Sequence, residues 1–80
     1  MEAPNALDQM RGRLEGSFGK AVAMMILASC CNAAGVSLVG IADDEFRRLV
    51  DVVSHDQRVV DMWGAAGAAD AAVQWRALVA

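Results

Sequence analysis

The sequence is poor in the residue types that build most catalytic and metal sites. Its 80 residues include one histidine, two cysteines, no tyrosine, two phenylalanines and two tryptophans. A single histidine without a second histidine or cysteine at ligand spacing cannot complete a metal site. The adjacent Cys30 and Cys31 cannot form an unstrained disulfide within a helix, and their spacing matches no metal-binding pattern. The sequence therefore predicts no metal and no other cofactor.

Motifs for nucleotide binding and hydrolysis are also missing. No glycine-rich loop follows a predicted strand, no serine lies in an elbow motif, and no Walker pattern occurs. Asp51 and Asp56 flank His55 in a way that suggests a general base, but its place at a predicted helix start favours a solvent-exposed side chain. Cys30 and Cys31 lie in the most apolar stretch, where burial makes thiols unreactive. We therefore predict that the protein is not an enzyme.

The longest feature of the sequence is the stretch of residues 21–42, which carries no charged side chain. Its length suits a transmembrane helix, but Ser29 and Gly35 interrupt it and alanine supplies much of its apolar content. Residues 27–30 resemble a lipoprotein signal, whereas the mixed charges of residues 1–20 are unlike the basic start of such a signal. We expect no membrane association and a cytoplasmic location, which reduced cysteines also favour.

We interpret the first part of this stretch, residues 20–34, as a buried central helix, because a helix that is apolar all round is a buried one. Gly35 stands where a left-handed residue ends a helix. Residues 36–41 predict an extended connector rather than a short strand. A continuous helix over residues 5–34 is an alternative, since the apolar residues of the first helix run in phase into the second; these are Leu7, Met10, Leu14 and Phe18.

The N-terminal part of the chain predicts a frayed start and then a helix that Asn5 caps. A break at residues 16–19 allows Ser17 to cap the central helix. After the charge-free stretch, apolar residues at helical spacing predict a helix over residues 43–53, with an acidic first turn that suits the helix dipole. The residues of its buried face are Phe46, Leu49, Val50 and Val53.

Two shorter helices are expected at the C-terminal end. Ser54 and Gln57 form the S-x-x-Q capping pattern of a helix that ends at Gly64. Residues 65–69 are small and glycine-interrupted, so we expect a hinge there. A last helix follows over residues 68–79.

The predicted fold is all-α, a single helical domain of residues 1–80 with about five helices around the buried central helix. A chain of this length buries only about 60–65% of the surface that its unfolded form exposes, so its core is marginal. More than half of the residues are apolar, and most methionines are expected in the core. A monomer cannot cover so much apolar surface, so we predict a homodimer.

The charge distribution favours a protein partner. The net charge is −3, and residues 43–80 carry seven acidic residues against four arginines, which disfavours nucleic acid and anionic membranes. We predict a noncatalytic protein-interaction module, either an adaptor or a stoichiometric inhibitor. Tryptophan is frequent among residues that dominate binding energy. The candidate contact residues are the aromatic anchors Trp75 and Trp63 and the acidic Asp43, Asp44, Asp51 and Asp61.

One motif suggests an alternative. Residues 34–37, with the sequence A-G-V-S, are followed by Ile41, and this pattern resembles the turn of helix-turn-helix repressors of bacteria. The resemblance covers about twenty residues, and Asp44 departs from it. It implies a small DNA-binding transcriptional regulator whose second helix begins near Ser37. The residues that would contact DNA are Ser37, Arg47, Arg48 and Arg58.

Overall fold

The computed structural model describes all of residues 1–80 and contains helices and no strands. The helices are α1 (Ala3–Phe18), α2 (Lys20–Ala34), α3 (Asp43–His55) and α4 (Gln57–Leu78). The all-α prediction is therefore confirmed, with four helices in place of about five. No helix has both the length and the hydrophobicity that a membrane crossing requires.

Helix α1 begins earlier than predicted, and the single residue Gly19 separates it from α2. Pro4 lies in the first turn, where the missing N–H of proline leaves no donor unsatisfied. Ala3 is buried, so the predicted frayed start is wrong. Gly19 has φ 81° and ψ 165°, a conformation that residues with a Cβ rarely adopt. This break rules out the continuous helix over residues 5–34.

Helix α2 has the predicted bounds but not the predicted burial. Gly35 is left-handed, and the N–H of Val36 donates to the carbonyl oxygen of Cys31 at 3.0 Å, as expected for a helix that ends at glycine. Only one stripe of the helix is buried, because α2 packs mainly against α1 and α3 and nothing covers its outer side. The prediction of a buried central helix is therefore wrong. The buried residues are Ala23, Ile26, Leu27, Cys30 and Cys31.

The central element is α3, which has the most extensive contacts with the other three helices. Its predicted apolar face is confirmed, since Phe46, Leu49, Val50 and Val53 are all fully buried. The connector before it forms no strand, also as predicted.

The junction between α3 and α4 lies two residues later than predicted. Ser54 is inside α3, where its hydroxyl donates to the carbonyl oxygen of Asp51 at 3.1 Å. The capping residue of α4 is Asp56, whose Oδ1 accepts a hydrogen bond from the N–H of Arg58 at 2.9 Å. An aspartate carboxylate satisfies a free helix N–H at least as well as a serine hydroxyl. His55 therefore ends α3 and does not begin α4.

Helix α4 consists of two arms that meet at Gly64. Gly64 has φ 77° and ψ 161°, so the first arm ends where the sequence predicted. The expected hinge over residues 65–69 is absent, because the second arm begins directly after the glycine. The two helices predicted for this part of the chain therefore form one kinked helix.

The methionines do not fill the core as expected. Met10 is fully buried, whereas Met24, Met25 and Met62 are exposed. The core instead depends on branched aliphatic residues, alanine, Phe46 and Trp75. Core packing therefore does not explain the positions of Met24, Met25 and Met62.

Candidate functional site

One of two depressions on the surface lies between the end of α3 and the two arms of α4. This α3–α4 groove has a volume of about 300 Å³. The kink at Gly64 lets residues on both sides of it line the same space. Alanine side chains end at Cβ and leave that space open. The lining residues are Ser54, His55, Val60, Ala65, Ala69, Ala72, Val73 and Arg76.

One end of the α3–α4 groove carries polar groups in fixed positions. His55 Nδ1 lies 2.7 Å from the carbonyl oxygen of Asp51. A carbonyl only accepts hydrogen bonds, so Nδ1 is the donor in this contact. Arg76 donates to the carboxylate of Asp51. These contacts give an otherwise apolar groove a polar rim.

His55 and Asp51 also border a second depression, the α2–α3 cleft, with a volume of about 410 Å³. Cys30 and Asp56 lie in this cleft. The thiol of Cys30 donates to Asp56 Oδ2 at 3.5 Å. Arg58 donates to the same carboxylate through Nε at 3.0 Å and through a terminal nitrogen at 2.8 Å. One carboxylate thus caps α4 and binds a thiol of α2.

The electrostatics of the α2–α3 cleft oppose catalysis by Cys30. Burial, and secondly the negative charge of Asp56, raise the pKa of the Cys30 thiol to about 12. The hydrogen bonds from Arg58 hold the pKa of Asp56 below its usual value. Asp56 is therefore charged and Cys30 protonated at neutral pH, and a protonated thiol is a poor nucleophile. No hydrogen bond joins Cys30 to His55, so the nucleophile and base of a catalytic pair are not assembled.

The predicted acidic contact residues are exposed but do not converge. Asp43 and Asp44 lie in the first turn of α3, eight and seven residues before Asp51, which corresponds to about 10–12 Å along a helix. Asp61 lies on the first arm of α4 and accepts a hydrogen bond from Gln57 at 2.6 Å. Of the four, only Asp51 lies at the rim of a groove.

The two tryptophans belong to one cluster that joins α1 to α4. Trp75 is only 3% exposed, whereas Trp63 is half-buried and donates to the hydroxyl of Ser17 at 2.8 Å. Their ring centroids are 5.9 Å apart, and the guanidinium of Arg13 lies 4.9 Å from the centre of the Trp63 ring. Trp75 serves the core in this conformation, so Trp63 is the tryptophan within reach of a partner.

The helix that the repressor resemblance requires is absent. Residues 35–42 form no helix, and α3 begins at Asp43 rather than near Ser37. The hydroxyl of Ser37 accepts a hydrogen bond from the N–H of Val39 within this loop. The expectation of a recognition helix from Ser37 is therefore wrong, because a loop with a second turn at Val39 and Gly40 separates α2 from α3.

The candidate arginines for DNA contact are engaged within the chain. Arg47 donates to the carbonyl oxygen of Val79 at 3.0 Å, and Arg48 lies 4.0 Å from Glu45. Arg58 is held by Asp56. Each of the three would have to give up an intramolecular partner to neutralise a phosphate, the contact that supplies most nonspecific affinity for DNA.

Sequence reasoning missed an exposed apolar surface on α2. This α2 face consists of the exposed residues on the outer side of the helix; two of them, Ser29 and Ala33, also border the α2–α3 cleft. A helix buried on all sides, as predicted for residues 20–34, would have no such exposed surface. A signal was present, because the polar Ser29 and Asn32 fall on the same side as Met25, opposite the stripe of Ile26 and Leu27. The α2 face comprises Ala21, Val22, Met24, Met25, Ala28, Ser29, Asn32 and Ala33.

Comparison with known proteins gives no relative from which a role can be inferred. No family model matches the chain, and no curated protein or solved structure resembles it significantly. The function must therefore be argued from the surface of this chain alone.

Proposed function

We propose that the protein is a small noncatalytic interaction module, an adaptor or a stoichiometric inhibitor, that binds an apolar side chain of a protein partner in the α3–α4 groove. The groove carries this proposal, because it combines an apolar floor with a polar rim. Its volume of about 300 Å³ is at the lower end of the range for ligand pockets. It suits one or two partner side chains better than a large cofactor.

The floor of the groove offers contact area without a reactive group. Val73 is 65% exposed, and it lines the groove together with Val60 and Ala69. Burial of such surface contributes about 25 cal/mol per Å² of apolar area. His55 and Arg76 at the rim supply hydrogen-bonding groups that can fix the orientation of a bound segment.

The charge of the surface favours a partner with basic residues. Asp43, Asp44 and Asp61 are exposed, and no arginine or lysine forms a salt bridge with them. The net charge of −3 acts in the same direction. Such rim charges increase the rate of association more than the final affinity.

We further propose that the protein acts in the cytoplasm, where its free, buried thiols of Cys30 and Cys31 stay reduced. It also forms a homodimer, which covers apolar surface that the fold leaves exposed, including Met24 and Met25.

The test compares two alanine positions on α4. Ala69 lines the groove, whereas Ala77 is exposed and lines neither groove. A partner is first captured from the source cell with the wild-type protein, identified, purified and titrated by calorimetry. Filling the groove with Ala69→Phe should weaken binding at least tenfold, and Ala77→Phe should leave it unchanged. Equal binding by both variants would refute the groove as the contact surface.

Two outcomes would overturn the functional proposal itself. One is the failure of the wild-type protein to retain any stoichiometric partner. The other is micromolar binding of labelled random-sequence DNA at about 50 mM salt, where true DNA-binding domains bind nonspecifically. Trp75→Ala is not a useful binding variant, because it removes a core side chain and tests folding instead.

A further inference from the structure

The α2 face contains a regular row of exposed residues directly opposite the core. Ala21, Met25, Ala28 and Asn32 follow one another at intervals of four, three and four residues, the spacing of a coiled-coil seam. Met25 is 61% exposed. No other part of the chain packs on this row, although it has the pattern of a helix–helix contact.

We propose that α2 of a second copy of this chain covers the α2 face, with the two helices antiparallel across a two-fold axis. This inference rests on the homodimer of the proposed function and adds to it the interface, the orientation and the register. It leaves the α3–α4 groove free, because no residue of the α2 face lines that groove.

The sizes of the side chains favour the antiparallel orientation. In one antiparallel register, Met25 of each subunit lies beside Ala28 of the partner subunit, and Ala21 lies beside Asn32 of the partner subunit. Each large side chain then meets a small one, and the two-fold axis repeats every contact. A parallel pair would place Met25 against Met25 and alanine against alanine, which packs poorly. Alanine in such a seam also lets two helices approach closely.

Charge also favours an antiparallel α2 of a second copy of the chain. Lys20 is the first residue of α2, where no acidic residue offsets the positive end of the helix dipole, and it forms no salt bridge within the chain. An antiparallel partner brings Lys20 to the carboxyl end of the other α2, where a cation is favourable and where no basic residue lies. Between Lys20 and Asp43 no charged side chain exists that could select a charged partner.

The size of the interface sets the expected strength. A helix of 15 residues is about 22 Å long and about 10 Å wide, so its outer side is much smaller than the roughly 800 Å² per partner of a stable complex. We therefore expect a reversible dimer with a dissociation constant of about 10–100 µM.

The first measurement is sedimentation equilibrium from low to high micromolar concentration with three proteins. The wild type and Met62→Glu should show the same monomer–dimer equilibrium, whereas Met25→Glu should stay monomeric at every concentration. Met62 is the matched control, because it is exposed to a similar degree on α4 and lies outside the α2 face. Equal thermal melts of the two variants at low concentration show that both are folded.

The second measurement determines orientation by disulfide trapping under mild oxidation. Ala21 and Asn32 are 11 residues apart, which corresponds to about 16 Å along the helix, and a disulfide needs Cα atoms within about 7 Å. An equimolar mixture of Ala21→Cys and Asn32→Cys should give a cross-linked dimer of the two variants, and neither variant alone should do so. Cross-linking of Ala21→Cys with itself would refute the antiparallel arrangement.

The outcomes separate this inference from the proposed function. A dimer that persists in Met25→Glu refutes the interface and leaves the homodimer standing. A wild type that is monomeric throughout refutes the homodimer and this inference together. Neither result affects partner binding in the α3–α4 groove, which the Ala69→Phe variant tests.

Discussion

Helices α2 and α3 show opposite relations between composition and burial. Helix α2 has no charged residue after Lys20, yet more than half of it is exposed. Helix α3 carries six charged side chains among 13 residues, yet its apolar face is the most completely buried in the protein. The difference shows that burial follows the arrangement of apolar residues around the helix rather than their number.

The largest effect is expected from the buried face of α3. Phe46→Ala should lower the free energy of unfolding by about 3–5 kcal/mol, because it removes a fully buried ring and leaves a cavity. A domain of this length has only about 4–12 kcal/mol of stability. Urea denaturation followed by circular dichroism measures the loss, with the smaller change Phe46→Leu as control. A loss below about 1 kcal/mol would contradict the central position of α3.

The second prediction contrasts adjacent residues of α2. Ile26→Ala should cost about 2–5 kcal/mol, as for other truncations in a core. Met25→Ala should change stability by no more than about 0.5 kcal/mol at low protein concentration, where the proposed dimer would be dissociated. Ile26 is fully buried and Met25 is 61% exposed. Similar losses for both variants, measured by urea denaturation, would mean that α2 is buried all round after all.

The third prediction concerns Asp56, which ends α3 and accepts a hydrogen bond from Cys30 of α2. Asp56→Ala should cost about 1 kcal/mol at pH 7, since it removes the cap of α4. The folded-state pKa of Asp56 is lowered, so its contribution is complete above the unfolded pKa of about 3.9 and is lost as the pH falls through the lower folded value. The stability difference between wild type and variant should therefore shrink below about pH 4. A difference independent of pH would show that the carboxylate charge is unimportant.

The fold was largely predictable because local signals determine it. The spacing of Phe46, Leu49, Val50 and Val53 located α3, and glycine located the ends of α2 and of the first arm of α4. The capping residue was less predictable, since Ser54 and Asp56 both have suitable side chains. A tertiary contact favours Asp56, because its carboxylate also accepts a hydrogen bond from the thiol of Cys30 in α2.

The candidate surfaces were harder to predict than the helices. The α3–α4 groove depends on how two arms of α4 lie against the end of α3, and no local pattern contains that information. The exposure of Met25 depends on which neighbours α2 has, and Ser29 and Asn32 are the only polar residues after Lys20 that mark the exposed side of the helix. The difference in burial between Trp75 and Trp63 is likewise set by tertiary packing, in which Arg13 of α1 lies over both rings.

The aromatic cluster makes intrinsic fluorescence a local reporter in this protein. The chain has no tyrosine and two tryptophans, and both indoles lie in the contact between α1 and α4, 5.9 Å apart. Emission will therefore report the docking of α1 onto α4 more directly than the integrity of α2. Signals from the peptide backbone monitor all four helices, so a mismatch between the two in one unfolding experiment would identify the end of the molecule that opens first.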